Sequence, residues 1–250
     1  MSYYDKRDEL KRRAKSMTDW CRTNYQHEIN DRVSRTKIYE LLGKDEIPNI
    51  DKEYSLTEQV LIRSDSVSRI HQVAKSDSEH VGVLNFASYT HPGGQFLNGS
   101  SAQEECLCHS SYLFNILREQ SKYYYWNRRH LNNKLYLHRA LYSPEVRFFG
   151  DAVPHMCDVI TCAAPNLRNK LELDNQYKET LLKRMQLIKW IAEDNDIEVL
   201  LLGAWGCGVF QNDPHIIATC FRDVFNQSSI KRVEYVIPDD INYYQFKKVL

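Results

Sequence analysis

The chain has 250 residues, 42% of them hydrophobic and 26% charged, an ordinary globular composition for one large domain or a domain with an extension. Thirty-three basic residues balance 33 acidic ones, so no global field calls for a nucleic-acid or membrane partner. Seven cysteines (21, 106, 108, 157, 162, 207 and 220), without a CxxC pair, read as thiols of a reducing, cytoplasmic protein. No apolar run reaches transmembrane length, and "MSYYDKRDELKRRAK" lacks a signal-peptide core.

Leu10, Ala14, Met17 and Cys21 recur at helical spacing, which predicts an amphipathic N-terminal helix. Residues 1–70 are read as a helical extension packed on a core of residues 71–250; pieces such as "VLIR" within 38–66 have no assigned element. From residue 79 compact apolar runs follow one another: "HVGVLNFAS", "KLYLHRALY", "VRFF", "DVITCAAP", "EVLLLGAWG" and "RVEYVIP". Several are continuous rather than alternating, as in strands covered on both faces. Helices fall between them. "AQEECLCHSSYLFNILREQ" carries Leu107, Leu113, Ile116 and Leu117, while Leu181, Met185, Ile188 and Ala192 form a stripe in "YKETLLKRMQLIKWIAED". "DPHIIATCFRDVF" opens with Asp213 as N-cap and Pro214 at the first helical position. Strands alternating with helices predict an α/β sheet covered on both faces.

Ligands of open α/β sheets bind outside the carboxyl ends of strands. Two loops leave such ends with a cluster of glycines. Pro92, Gly93, Gly94 and Gln95 follow "VGVLNFAS"; Gly203, Gly206, Cys207, Gly208, Val209 and Phe210 follow "EVLLLGAW". Glycine lets backbone N–H groups converge on phosphate oxygens, and a helix after each loop adds a favourable dipole. The pair predicts a diphosphate site. Behind the first loop stand Glu104 and Glu105. Ser101 and Glu104 have capping-box spacing, a structural use for Glu104. Glu105 points about 100° away and is left for chemistry. A helix N-terminus lowers its pKa, and a bound diphosphate raises it again, so that an acid would become competent with substrate present.

"PGGQFLNGSSAQEE" resembles the signature of bacterial-type, macrodomain-fold poly(ADP-ribose) glycohydrolases: three glycines, six to eight residues, then Gln-Glu-Glu. "GAWGCGVFQNDP" is similar to that family's second phosphate loop, and "DVITCAAPN" and "YSPEVRFFGD" also look like family segments; the resemblance spans about residues 10 to 237. It implies a macrodomain-like mixed central sheet flanked by helices, and hydrolysis of ribose–ribose O-glycosidic bonds of poly(ADP-ribose) with release of ADP-ribose. Carried over by position, Glu105 resembles the catalytic acid and Glu104 the neighbour holding a ribose hydroxyl. Gly93, Gly94 and residues 206–210 resemble the diphosphate cradle, Phe210 the aromatic on the distal ribose, and Gln103 the first residue of Gln-Glu-Glu. Asn85, at a strand end, is a candidate substrate contact or a local cap. Gln95 replaces the third signature glycine; were φ positive there, it would be strained.

Two rival readings share these loops: a hydrolase of mono-ADP-ribose on a protein or nucleic acid, and a non-catalytic ADP-ribose reader. The mechanism requires no metal or cofactor, and the CxCH of Cys106, Cys108 and His109 lacks a second half-site. In "KYYYWNRRH" the aromatics are expected to pack on the sheet, with Arg128 and Arg129 solvated. The protein is expected to be monomeric, with poly(ADP-ribose) or ADP-ribosylated macromolecules as partners and no membrane.

Overall fold

Why the apolar runs are continuous becomes clear from the sheet they build. The computed structural model describes residues 3–41, 43, 47–74, 79–150, 154–168 and 175–250; Asp151, which ends "YSPEVRFFGD", lies outside them. Its central strands are β4 (Val81–Phe86), β6 (His155–Cys162), β7 (Val199–Leu202) and β9 (Arg232–Val236). They run parallel in the order β6-β4-β7-β9. A parallel strand covered on both faces has no polar side to show, hence "VLLL" and "VGVL". β5 (Arg139–Phe148) joins the β6 edge antiparallel and is itself flanked by β1 (Lys37–Glu40). β3 (Glu58–Ile62) closes the other edge, parallel to β9. β2 (Ser55–Leu56) pairs separately with β8 (Gln227–Ser228).

Successive residues of these strands feed opposite cores. Val81, Val83, Val199 and Leu201 pack under α1 (Tyr3–Arg35), α2 (Ser66–Val73), α3 (Gln103–His109), α4 (Leu113–Leu117) and α5 (Ser121–Arg129). Leu84, Leu200, Leu202 and Val233 pack under α6 (Asn175–Asp194), α7 (Pro214–Val224) and α8 (Asp240–Lys247). Leu181, Met185, Ile188 and Ala192 of α6 all lie fully buried, as their helical spacing requires. Asp213 caps α7 by accepting the His215 and Ile216 N–H groups.

Three expectations are corrected. The division at residue 70 passes through the sheet, because β1 and β3 belong to it; "VLIR" is most of β3. The extension is therefore more than a helix, although α1 does pack on the loop ahead of α3, where Arg7 Nε donates to Asn98 O at 2.9 Å. Second, the helix read across 102–120 breaks at Ser110–Tyr112. There the chain turns to pair Ser111 with Phe148, and Ser111 Oγ accepts the Leu113 N–H. Third, "KLYLHRALY" is strand only from Arg139 onward. Asn132, Asn133, Lys134 and Tyr136 adopt left-handed φ of 46° to 67° instead.

In the aromatic segment of α5, Tyr123 and Tyr124 are buried, as expected. Arg128 and Arg129 stay exposed, Arg129 lying over the Tyr125 ring and Arg128 donating to Thr90 O.

Candidate active site

At the carboxyl ends of β4 and β7 the two glycine loops face each other across a cleft of about 530 Å³. Gly94, Gln95, Gln103, Glu104, Glu105, Gly206, Gly208, Val209 and Phe210 line it together. Gly93, Cys207 and Asn85 do not. Gly93 backs the loop against Phe114, and the Cys207 thiol points at Trp205 O, 3.7 Å away.

The first loop has the shape it has because two carboxylates lie under it. Gly93 and Gly94 both have positive φ, 65° and 60°. A Cβ on Gly94 would stand 2.5 Å from Glu105 Oε1 and 2.8 Å from Glu104 Oε2, so neither conformation nor space admits a side chain. Gln95 has φ −108°, an ordinary value for any residue. The third signature position thus carries no strain here, because the left-handed turn ends at Gly94. Gln95 N donates to Glu105 Oε1 at 2.8 Å.

Glu104 and Glu105 are both buried in the first turn of α3, with different partners. Glu104 Oε2 accepts the Ser88 N–H at 2.7 Å, and its Oε1 accepts Asn85 Nδ2 at 3.3 Å. Ala102, not Ser101, is the N-cap residue, so the capping box does not form. Tertiary donors from the β4 exit claim the carboxylate that the spacing assigned to the helix end. Asn85 is fully buried and also donates to Thr161 Oγ1 at 3.2 Å. It sits behind Glu104 and donates to it. Gln103 accepts the Phe86 N–H and donates to Leu84 O, which fastens α3 to the end of β4.

Among the described residues, Glu105 has only the Gln95 N–H. Its other oxygen, Oε2, is buried and without a hydrogen-bond partner among the described residues. A lone buried acceptor is costly, and a donor arriving with a ligand would relieve it. Burial pushes the Glu104 carboxyl up to about 8, against the pull of the Ser88 N–H, and the neighbouring Glu105 charge pushes the same way. Near neutral pH Glu104 therefore holds its proton.

The second loop is stapled from beneath. Asn212, buried, donates through Nδ2 to Pro165 O at 2.8 Å and Gly206 O at 3.0 Å, and its Oδ1 accepts Tyr177 OH. Gly206 has φ 75°, and a Cβ there would strike Ala164 Cβ at 2.5 Å. Gly208 differs: nothing lies within 4 Å of where its Cβ would be. That space is open cleft, so its bare backbone can approach a ligand. Phe210 stands at the mouth, 6.2 Å from the Tyr136 ring.

The cleft continues past residues that motif reasoning did not single out. Asp65, Ser66 and Val67 at the start of α2 line one end, with Ile237, Pro238, Asp239 and Asn242 beyond β9. Both groups belong to helix N-termini, where Asp65 caps α2 and Asp239 caps α8. The paired signals Asp-Ser before "VSRI" and Pro-Asp-Asp before "INYY" could have marked them as strand-end loops.

The family model for the microbial-type PARG catalytic domain matches residues 10–151. Among solved structures, the chain is similar to poly(ADP-ribose) glycohydrolase from Thermomonospora curvata bound to the inhibitor ADP-HPD. Identity is 25% and TM-score 0.85, with 98% of this chain and 100% of that one covered. It is also similar to the Deinococcus radiodurans poly(ADP-ribose) glycohydrolase in complex with ADP-ribose. There identity is 26% and TM-score 0.76, with 89% and 96% covered. No curated protein matches the chain. With the Gln-Glu-Glu element, its upstream glycines and the matched fold in place, the chain belongs to the microbial-type PARG family.

Proposed function

We propose that the protein hydrolyses the ribose–ribose O-glycosidic bonds of poly(ADP-ribose) and releases ADP-ribose, with Glu105 as general acid and base. The observation that carries this reading is the unpartnered Oε2 of Glu105 in a cleft between two glycine loops. Of the four oxygens on the two glutamates, it is the one without a hydrogen-bond partner among the described residues.

In this reading the diphosphate lies on the bare backbone of Gly206 and Gly208, beside the Gly93–Gly94 turn. Its charge raises the proton affinity of Glu105 by like-charge repulsion. Glu105 then protonates the leaving ribose oxygen as the bond to the anomeric carbon breaks. The oxocarbenium-like centre gains stabilisation from the nearby diphosphate, and Glu105 takes back a proton from the attacking water. Glu104, held by Ser88 and Asn85, keeps a ribose hydroxyl in place. Phe210 bears on the distal ribose, and Asn85 and Gln103 act by orienting α3. The seven free cysteines fit a reducing, cytoplasmic setting.

The test is ADP-ribose release from poly(ADP-ribose) by the wild type and by Glu105→Gln, with calorimetric ADP-ribose binding on both. Turnover should fall by about 10² to 10⁴-fold, the usual worth of a general acid, while binding persists. Binding without turnover in the wild type would leave a reader. Turnover only on mono-ADP-ribosylated acceptors would leave the alternative hydrolase.

A further inference from the structure

Arg184 of α6 is 1% exposed, yet among the described residues no carboxylate lies within ion-pair distance of it. Its guanidinium instead donates to three backbone carbonyls. Nη1 reaches Leu135 O at 2.9 Å and Ala163 O at 3.1 Å, and Nη2 reaches Tyr136 O at 3.1 Å. Burying a cation without a counter-charge is costly, and a fold that retains one must use it.

Two of the carbonyls it holds, those of Leu135 and Tyr136, belong to the most strained stretch of the described chain. Lys134 and Tyr136 have φ of 67° and 64°, in a conformation that neither side chain favours, directly after Asn132 and Asn133 at 46° and 49°. Such a run persists only where its surroundings over-determine it. The Arg184 bonds do so, helped by Asn132 Nδ2 on Tyr136 O and by the Asn166 N–H on Lys134 O at 2.8 Å.

What the strain achieves is the placement of one ring. Tyr136 lies flat on Tyr89, with centroids 4.3 Å apart and planes within 10°, and meets Phe210 edge-on at 6.2 Å. Tyr89 stands between β4 and the Gly93–Gly94 turn, and its hydroxyl accepts the Leu137 N–H at 3.3 Å. Phe210 belongs to the second loop, and its carbonyl accepts the Leu167 N–H at 2.9 Å. The third carbonyl leads to the same place. Ala163 precedes Ala164, which lines the cleft and abuts Gly206. One buried guanidinium is thus linked through the Tyr136 ring to Tyr89 and Phe210, and through Ala163 to the residue that abuts Gly206.

We propose that Arg184 is a positioning residue that sets the spacing of the two loops, acting through Tyr136 on Tyr89 and Phe210, and so aligns the distal ribose with Glu105. This rests on the reading of the cleft as an ADP-ribose site. Arg184 touches no substrate; its effect is on alignment, where a displacement of about 1 Å can cost about 10²-fold in rate.

The test compares wild type, Arg184→Met, Arg184→Lys and Tyr136→Ala, assayed well below each variant's Tm for kcat, for KM on poly(ADP-ribose) and for the Kd of ADP-ribose. Arg184→Met is expected to lose about 10- to 100-fold in kcat while KM and Kd stay within about threefold. Arg184→Lys, which keeps donors at the carbonyls, should recover part of kcat. Tyr136→Ala should reproduce the kcat loss with Arg184 intact, and it carries the test if Arg184→Met does not fold. Wild-type kcat in folded Arg184→Met or in Tyr136→Ala, or losses confined to KM and Kd, would overturn the proposal. A wild type that neither binds ADP-ribose nor turns over would instead overturn the reading of the cleft, and the proposal with it.

Discussion

Buried acids stand at both ends of the central sheet, in opposite states of satisfaction. At the carboxyl ends, Glu105 keeps one oxygen without a partner and Glu104 is pushed up to about 8 by burial. At the amino ends, Asp158 of β6 is equally buried but fully used. Its Oδ1 accepts the Glu145 N–H at 2.7 Å, and its Oδ2 accepts Tyr142 OH and faces His80 Nε2 at 2.7 Å. That cluster holds Glu145, at φ 47°, in the β5 bulge. A satisfied buried acid stabilises its surroundings, whereas one kept short of donors is poised for a ligand.

Substitutions at the two ends should therefore separate activity from stability. After Glu105→Gln, the largest effect is expected from Gly94→Ala. Its methyl would displace both glutamates from a position at positive φ, so turnover should fall by about 10²-fold, with about 1–3 kcal/mol lost in thermal unfolding. Full turnover with an unchanged Tm would show that the loop does not set the carboxylates.

The pH profile sharpens the contrast. Deprotonation of Glu104 above about 8 places a negative charge beside Glu105, so kcat/KM should decline above about pH 8, and Glu104→Gln should remove that limb. The same raised carboxyl works against folding. Its stability contribution is whole below the ordinary value of 4.5 and is lost as pH climbs toward 8, so Glu104→Gln should raise Tm most near the upper end of that window. A profile flat to pH 9.5 in both proteins would sink this assignment.

At the other end, Asp158→Asn should cost about 1–3 kcal/mol of stability and leave kcat alone. The hydrogen bond to Asp158 raises the His80 pKa, so its contribution is whole below 6.5 and fades as pH rises through the raised value. The stability gap between wild type and Asp158→Asn should thus narrow above neutral pH; a constant gap would mean that His80 is not the partner that matters. The smallest effect is expected of Gln95→Gly. It restores the signature but frees the unfolded chain, and with φ at −108° it should lower stability by about 0.4–1 kcal/mol. A gain in Tm would show hidden strain at Gln95.

The features legible in the chain were those with a local cause. Continuous apolar runs marked the four central parallel strands because burial on both faces leaves few polar positions. The 3.6-residue stripe of α6 and the Asp213–Pro214 start of α7 depend on residues within a few positions of one another. The glycines beside Gln-Glu-Glu are local too, since the turn and the carboxylates under it are ten residues apart. Tertiary structure decided the rest. β1 and β3 are short edge strands whose pairing partners lie about 100 and 170 residues away, so periodicity could not announce them. Ser101 lost its capping role because Glu104 is held by Asn85 and Ser88, brought to it by the exit of β4. Arg184 sits in a helix like any other arginine, and only the folded chain surrounds it with the carbonyls of Leu135, Tyr136 and Ala163. By itself the sequence determined which two glutamates were the candidates. The contacts between distant segments decided which carboxylate oxygen has no partner among the described residues, because hydrogen bonds from Asn85, Ser88 and Gln95 engage the others.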